Sequence, residues 1–310
     1  MTSTPDPRST NRPPWRGPSA FTAFGIRAEA TSIVPGLHVV ATPIGNLGDI
    51  SFRALGTLAA ANAILAEDTR VTKTLLAHYG ITTPLLAYHE HNAEEMRPRV
   101  LAKLGEGQAL ALVSDAGTPL VSDPGYKLVE AALGAGHQVT TVPGASAVLA
   151  ALVVAGLPTD RFFFEGFLPP RSAARRERLE ILRAIPGTLV FFESPRRVAE
   201  MLADAAAVLG PRPAAVAREL TKFFETVRRG TVESLAAEFA EEATPKGEIV
   251  VLIGPPTPQT EPTNKDEDVD ARLRIHLAHL SLKDAVDVVA QETNVVRKRV
   301  YARAVELKKQ

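Results

Sequence analysis

Glu67 and Asp68 stand side by side after a short apolar run, Ala63–Ala66, with Arg70 and Lys73 just beyond. Adjacent carboxylates beside a guanidinium suit proton transfer, and they equally suit the first turn of a helix, where the dipole favours acids. His89 follows a second run, Leu85–Tyr88, and with His91 gives two imidazoles at a spacing that can bind metal in a strand. The chain has no cysteine and no third histidine nearby, so no metal is expected. Four further loops each follow an apolar run and precede a stretch of helical length, the place where open α/β sheets put their ligands. They are 41–51, with Pro43, Gly45, Asn46 and Gly48; 113–125, with Asp115, Gly117, Thr118, Pro119 and Leu120; 141–147, with Ser146 and Ala147; and 192–197, with Glu193, Arg196 and Arg197. Turn formation accounts for the glycines of the first loop taken alone, and helix capping accounts for Ser146. The first loop lacks the Gly-Lys-Ser/Thr of a phosphate loop and the three spaced glycines of a dinucleotide site. The second is longer and more irregular than a plain connection needs, as loops that line ligands are.

The elements that position these loops alternate regularly. Strands are predicted at 37–42, 63–66, 85–88, 109–113 and 139–142, and helices near 52–61, 70–79, 93–105, 124–135 and 145–155, which reads as α/β with a mostly parallel sheet. A second set has strands at 161–166, 188–193, 214–217 and 248–253 and helices near 172–184, 196–209 and 231–242. Thr226–Gly230 adds a short strand that would be antiparallel. These give an N-terminal α/β domain over 36–157 and a C-terminal one over 158–256. Residues 1–35 read as a disordered tail and 257–270 as a linker rich in Pro, Thr and acids. Between 271 and 310, nine Lys/Arg face four Asp/Glu. There Ser281 to Asp284 resembles a capping box, and two short helices joined by a tight turn would form a basic helical domain of RNA-binding type. Arg171–Arg178 reads either as an RNA-facing helix or as a solvated one.

Composition narrows the classes further. Of 310 residues 45 % are hydrophobic and 23 % charged, enough to fill sizeable cores. Lys+Arg 35 cancels Asp+Glu 35, so any nucleic-acid role must rest on local patches. No apolar run approaches the roughly 20 residues of a membrane span, and the N-terminus has no secretory pattern. Absence of cysteine fits the cytosol.

Taken in order, Ala-Thr-Pro-Ile-Gly-Asn-Leu-Gly-Asp-Ile (41–50), Ala-Glu-Asp-Thr-Arg (66–70), Ser-Asp-Ala-Gly-Thr-Pro-Leu-Val-Ser-Asp-Pro-Gly (114–125), Val-Pro-Gly-Ala-Ser (142–146) and Phe-Glu-Ser-Pro-Arg-Arg (192–197) resemble the family of bacterial small-subunit ribosomal RNA cytidine 2′-O-methyltransferases. The resemblance runs from about residue 37 to 254 and continues in the helical tail. It implies a two-domain, tetrapyrrole-methylase-like (class III) methyltransferase fold, S-adenosylmethionine as co-substrate without metal, a cytoplasmic homodimer, and 16S rRNA in the small ribosomal subunit, near its decoding region, as substrate. Cofactor contacts are expected at Pro43, Gly45, Asp115, Gly117, Thr118, Pro119, Leu120, Ser146, Ala147 and Glu193, and catalysis at Glu67, Asp68, Arg70 and His89. Lys73 and Glu90 are further candidates for the base, and Arg70, Arg196, Arg197, Arg218 and Lys222 for phosphate. The superfamily's Gly-x-Gly-x-Gly-Asp pattern falls on Ala41, Pro43, Gly45 and Asn46, and its Gly-Asp-Pro on Gly117, Thr118 and Pro119, so both acids are missing here. That weighs against a porphyrin-like substrate. Two other readings stay open: a small-molecule methylase acting on a tetrapyrrole-like ring, which would not need the basic segments, and a non-catalytic RNA-binding protein, which would not need the loop at 114–125.

Overall fold

The structure is a computed structural model and describes residues 19–120, 125–256, 264–293 and 295–308. Two units are present, one ending at Pro255 and the other beginning at Pro256.

The first unit opens with a hairpin, β1 (Ala20–Ala23) and β2 (Ile26–Glu29). This corrects the reading of a tail through residue 35; residues 1–18 lie outside the described residues. Phe21 is buried among the first sheet's helices and the Thr22 N–H donates to the Tyr79 carbonyl at 2.8 Å. Four-residue strands around a two-residue turn give too short an alternation to stand out from the Pro- and Arg-rich residues before them.

There follow β3 (Gly36–Val40), α1 (Phe52–Ala60), β4 (Ala63–Ala66), α2 (Thr69–His78), β5 (Leu85–Ala87), α3 (Ala93–Gly105), β6 (Ala109–Val113), α4 (Tyr126–Gly134), β7 (Val139–Val142) and α5 (Ala147–Ala155). The strands form a parallel sheet in the order β5, β4, β6, β3, β7. Every residue of β3, β4 and β6 is buried, as expected where helices cover both faces. The order matters for the site: β6, β3 and β7 are neighbours, so three of the Gly- and Ser-rich loops leave the same sheet edge side by side.

The second half contains β8 (Phe162–Phe167), α6 (Ser172–Leu182), β9 (Thr188–Glu193), α7 (Val198–Leu209), β10 (Pro213–Arg218), β11 (Thr226–Thr231), α8 (Val232–Glu241) and β12 (Ile249–Ile253). Its sheet runs β11, β10, β12, β9, β8, parallel only between β8 and β9. The antiparallel strand expected at 226–230 is β11. Helices α6, α7 and α8 pack on one face. On the other face Val148, Ala151, Leu152 and Ala155 of α5, with Ile44 from the loop after β3, pack against Val190, Ala215 and Leu252. Helix α5 belongs to the first half by sequence and to the second sheet by packing, so one of the apolar clusters spans both halves.

Three of the four arginines in the basic run at 171–178 are paired within the fold. Arg175 is 1 % exposed and donates to Asp204 at 2.6 Å; Arg176 donates to the same carboxylate at 2.6 Å. Arg178 grips Glu165 through two bonds of 2.6 and 2.7 Å. Burial pushes the Asp204 carboxyl up, yet bonds from Arg176, Arg175 and Ser172 outweigh it and hold the group below its ordinary value.

The second unit is three helices, α9 (Asn264–Leu277), α10 (Leu282–Thr293) and α11 (Arg297–Leu307), around Val269, Leu273, Val286, Val289, Val300 and Ala304. Helix begins inside the segment expected to be a linker, because Val269 and Asp270 are buried partners of the later helices; Asp270 pairs with Arg303 through two bonds of 2.7 Å. Ser281 accepts from the Asp284 N–H at 3.2 Å, the cap the sequence suggests. Among the described residues, no helix is long and apolar enough to cross a membrane.

Candidate functional site

Three loops at the β6, β3 and β7 ends are tied to one another. Thr42 and Gly117 exchange backbone bonds, Thr42 N–H to Gly117 O at 2.9 Å and Gly117 N–H to Thr42 O at 3.0 Å. The Ser114 hydroxyl donates to the Gly117 carbonyl at 3.2 Å, and the Thr118 hydroxyl reaches the Ala145 carbonyl at 3.2 Å. Gly117 has φ +82°, and a Cβ there would meet Ile44 Cγ2 at 3.2 Å, which explains the glycine. These bonds fix a polar floor before any ligand arrives.

Two cavities, each of about 390 Å³, adjoin on this floor and share Ile44, Ala116 and Glu248 as their common wall. The first is lined by Gly117, Thr118, Ser146 and Ala147 from the first half and by Phe167, Phe192, Glu193 and Gly247–Val250 from the second. Glu193 is buried; its Oε1 accepts the Ser194 N–H at 2.7 Å, while Oε2 has no hydrogen bond and stands 3.4 Å from Arg197. Burial pushes this carboxyl up, opposed in part by Ser194 and by the charges of Arg197 and Arg175. The orphaned oxygen is an acceptor available to a ligand donor.

The second cavity is lined by Thr42, Pro43, Gly45, Leu47, Ser114, Asp115, residues of α2, and Lys222 from the second half. Lys222 Nζ donates to Glu219 Oε1 at 2.8 Å and to Glu248 Oε2 at 3.0 Å, leaving one of its three donors for a ligand. Partial burial alone would lower its pKa, but the two carboxylates outweigh that and raise it, so the group is a cation. The Lys222 bond and the Glu248 N–H in turn hold Glu219 below its ordinary value. The lysine stem crosses onto Gly45, where a Cβ would sit 2.5 Å from Lys222 Cγ. Glu219 and Thr221 adopt φ +52° and +66°, costly for residues with a side chain and here adjacent to the cavity.

The expected residues separate accordingly. Gly117, Thr118, Ser146, Ala147 and Glu193 meet at the first cavity and Pro43, Gly45 and Asp115 at the second; Pro119 and Leu120 line neither, Leu120 packing instead into the core beneath β6. Asp68 caps α2 by accepting the Arg70 N–H at 2.8 Å, and the Arg70 guanidinium pairs with it at 2.6 Å, which with the backbone bond lowers its pKa to about 2. Asp68 touches the site through its backbone, whose N–H donates to Asp115 Oδ1 at 2.9 Å. Glu67 is half-buried where β4 meets α2, and neither it nor His89 lines either cavity. The His89 and His91 rings lie edge to face at 6.0 Å, and among the described residues no group of three His, Asp or Glu could hold a metal. Arg197 donates to the Leu168 carbonyl at 2.7 Å and Arg218 to the Lys246 carbonyl at 3.1 Å, so both bind backbone. The chemistry-bearing groups that sequence reasoning missed are Glu219 and Glu248, separated by 29 residues and brought together just beyond the pairing of β10 with β12, where the Glu219 N–H donates to the Glu248 carbonyl at 3.0 Å.

Comparison with known proteins completes the description. Residues 36–236 match the family model of tetrapyrrole (corrin/porphyrin) methylases, and residues 263–308 match that of the RsmI C-terminal HTH domain. The chain is 51 % identical over 280 residues to ribosomal RNA small subunit methyltransferase I of Mesorhizobium japonicum, covering 90 % of this chain and 94 % of that one. It is 50 % identical to the protein of the same name from Xylella fastidiosa, covering 86 % and 97 %. Among solved structures, a diphthine synthase superposes with a TM-score of 0.55 at 18 % identity, over 70 % of this chain and 89 % of that one, a likeness of fold.

Proposed function

The chain belongs to the tetrapyrrole methylase family and within it to the ribosomal RNA small subunit methyltransferase I group, and from that premise we propose that its two cavities divide the reaction between them. The enzyme is an rRNA methyltransferase. The first cavity takes S-adenosylmethionine, which supplies a methyl group already activated on a sulfonium; the second takes the ribose of a cytidine in 16S rRNA, whose 2′-oxygen is the nucleophile. The observation that carries this reading is that the two cavities adjoin, with Ile44, Ala116 and Glu248 in the lining of both.

The residues present fit the cofactor. The volume matches a ligand of that size. Half-buried Thr118 and the orphaned Glu193 oxygen offer partners to its amino and hydroxyl groups, and Phe192 with Ile249 gives the adenine an apolar bed. In the second cavity the remaining Lys222 donor meets the 2′-oxygen and steadies the negative charge that grows on it as its proton departs. A cationic lysine cannot accept that proton. Asp115, on the same cavity and held by the Asp68 N–H, takes it. Asp68 and Arg70 then act as positioning residues, stitched to each other and to Asp115. Ribosomal substrate implies a cytoplasmic enzyme, and the homodimer that the resemblance implies is read by sedimentation.

The test incubates the protein and S-adenosylmethionine with small subunits lacking the modification, then maps ribose methylation by mass spectrometry. One cytidine gaining 14 mass units on its ribose is expected. Transfer to a tetrapyrrole but not to rRNA, or binding to subunits without transfer, would overturn the reading in favour of the two alternatives.

A further inference from the structure

We propose that Phe223 and Phe224, at the tip between β10 and β11, form a stacking platform for an unpaired RNA base next to the acceptor ribose. The proposal rests on the assignment of the second cavity to that ribose. Phe223 is 95 % exposed and Phe224 66 %, and their rings meet at 5.0 Å and nearly at right angles. A single exposed phenylalanine is ordinary, but two adjacent ones at a tip are not explained by folding.

The tip is not a loose loop. The Lys222 N–H donates to the Glu219 carbonyl at 3.0 Å, the Glu225 N–H to the Lys222 carbonyl at 3.1 Å, and the Thr221 N–H to Glu225 Oε2 at 2.6 Å. Arg218 reaches the Phe224 carbonyl at 3.5 Å. Two left-handed residues, Glu219 and Thr221, set its course. A segment fixed by this many bonds and holding two rings in water presents them to something.

What it presents them to follows from the chain itself. Lys222 lines the second cavity, and Phe223 is the next residue, one Cα step of about 3.8 Å further out. A nucleotide seated with its ribose at Lys222 carries its own base and its neighbours' bases past this tip. Single-stranded RNA is recognised by splaying bases onto aromatic side chains, and every base has a π-face whatever its sequence. The cations beside the tip are committed elsewhere: two Lys222 donors go to carboxylates and the third faces the ribose, while Arg218 binds backbone carbonyls. Stacking, rather than phosphate binding, is therefore what the tip offers. Continuity with the acceptor cavity favours the RNA over a second copy of the chain.

The experiment uses the full-length protein with Phe223→Ala, Phe224→Ala, the double variant and Phe223→Tyr. Measured are S-adenosylmethionine affinity by calorimetry, single-turnover methylation as a function of small-subunit concentration, and sedimentation. Loss of a stacked base weakens binding about five- to 150-fold, so the subunit concentration at half-maximal rate is expected to rise by that order in the alanine variants. Cofactor affinity and oligomeric state should stay as in the parent, and Phe223→Tyr should restore subunit binding. Unchanged dependence on subunit concentration overturns the proposal. So does a shift of the alanine variants to a smaller oligomer, which assigns the rings to a contact between copies. If the parent protein itself transfers no methyl group to the subunit, the cavity assignment fails first; if the parent is active and the variants match it, only the platform fails.

Discussion

Replacing Lys222 by Met separates the chemistry of the second cavity from its stability. The substitution keeps the stem that lies on Gly45 and removes the ammonium, with its bonds of 2.8 and 3.0 Å to Glu219 and Glu248. The lysine side chain is 29 % exposed and its partners 18 % and 72 %, so this pair lies between a solvated bridge and a buried one. Solvated pairs contribute about 0.2–1 kcal/mol, and an unpaired, partly desolvated Glu219 adds about 1 kcal/mol more. The stability loss is therefore about 1–2 kcal/mol, a fall of a few degrees in Tm for a unit of this size. A donor aimed at developing oxygen charge is worth far more to the rate, about 10²- to 10³-fold. Single-turnover methylation of small subunits at saturating S-adenosylmethionine reads the rate, calorimetry the cofactor affinity and thermal unfolding the stability. The expected pattern is a rate lowered by that factor with cofactor affinity unchanged. Lys222→Arg should keep the Tm and still lose rate, because a planar fork cannot replace a point donor on this stem. A Lys222→Met rate within about threefold of the parent would refute the role given to the ammonium, and Asp115 with the cofactor's own orientation would have to account for the transfer.

Gly117→Val forces a β-branched residue into φ +82° and drives its Cβ toward Ile44, so S-adenosylmethionine affinity should fall at least tenfold by calorimetry, at a stability cost of about 1–3 kcal/mol. Asp204→Ala leaves Arg175, 1 % exposed, with only the longer contact to Glu200 at 3.5 Å, and unfolding should show a loss of about 3–5 kcal/mol. Because the folded state holds the Asp204 carboxyl below its ordinary value, the parent has this stabilisation in full above that ordinary value and loses it as pH falls through the lowered folded one; denaturation curves of the Ala variant should lack that acid limb. Removal of everything after Pro256 takes away a unit with its own core, so cofactor affinity should stay within about twofold while small-subunit binding weakens and its salt dependence shrinks, as measured by filter binding over a salt series.

Much of the fold is legible in the residues because it is written locally. The buried runs of β3, β4, β6, β9 and β12 and the helical periods of α1 to α8 fall within two residues of the observed elements. The loops at 41–51, 113–125 and 141–147 are recognisable because parallel connections put small and polar residues at one end of each strand. Tertiary structure alone decided which charges meet at the cavities. The Arg171–Arg178 run looks like a surface for phosphate, yet Asp204 and Glu165 claim three of its guanidiniums from other elements. Glu67 and Asp68 look like an acid pair at a strand end, yet Asp68 turns to its own helix and to Arg70. Meanwhile Lys222 and Glu248 converge with Asp115 on one cavity, with Glu219 behind Lys222, only because β10 pairs with β12 and α5 carries the second sheet onto the loops of the first. Backbone propensity and burial act over a few residues and leave a periodic trace in the sequence. A carboxylate's partner is chosen by distance in space, where separation along the chain has no say.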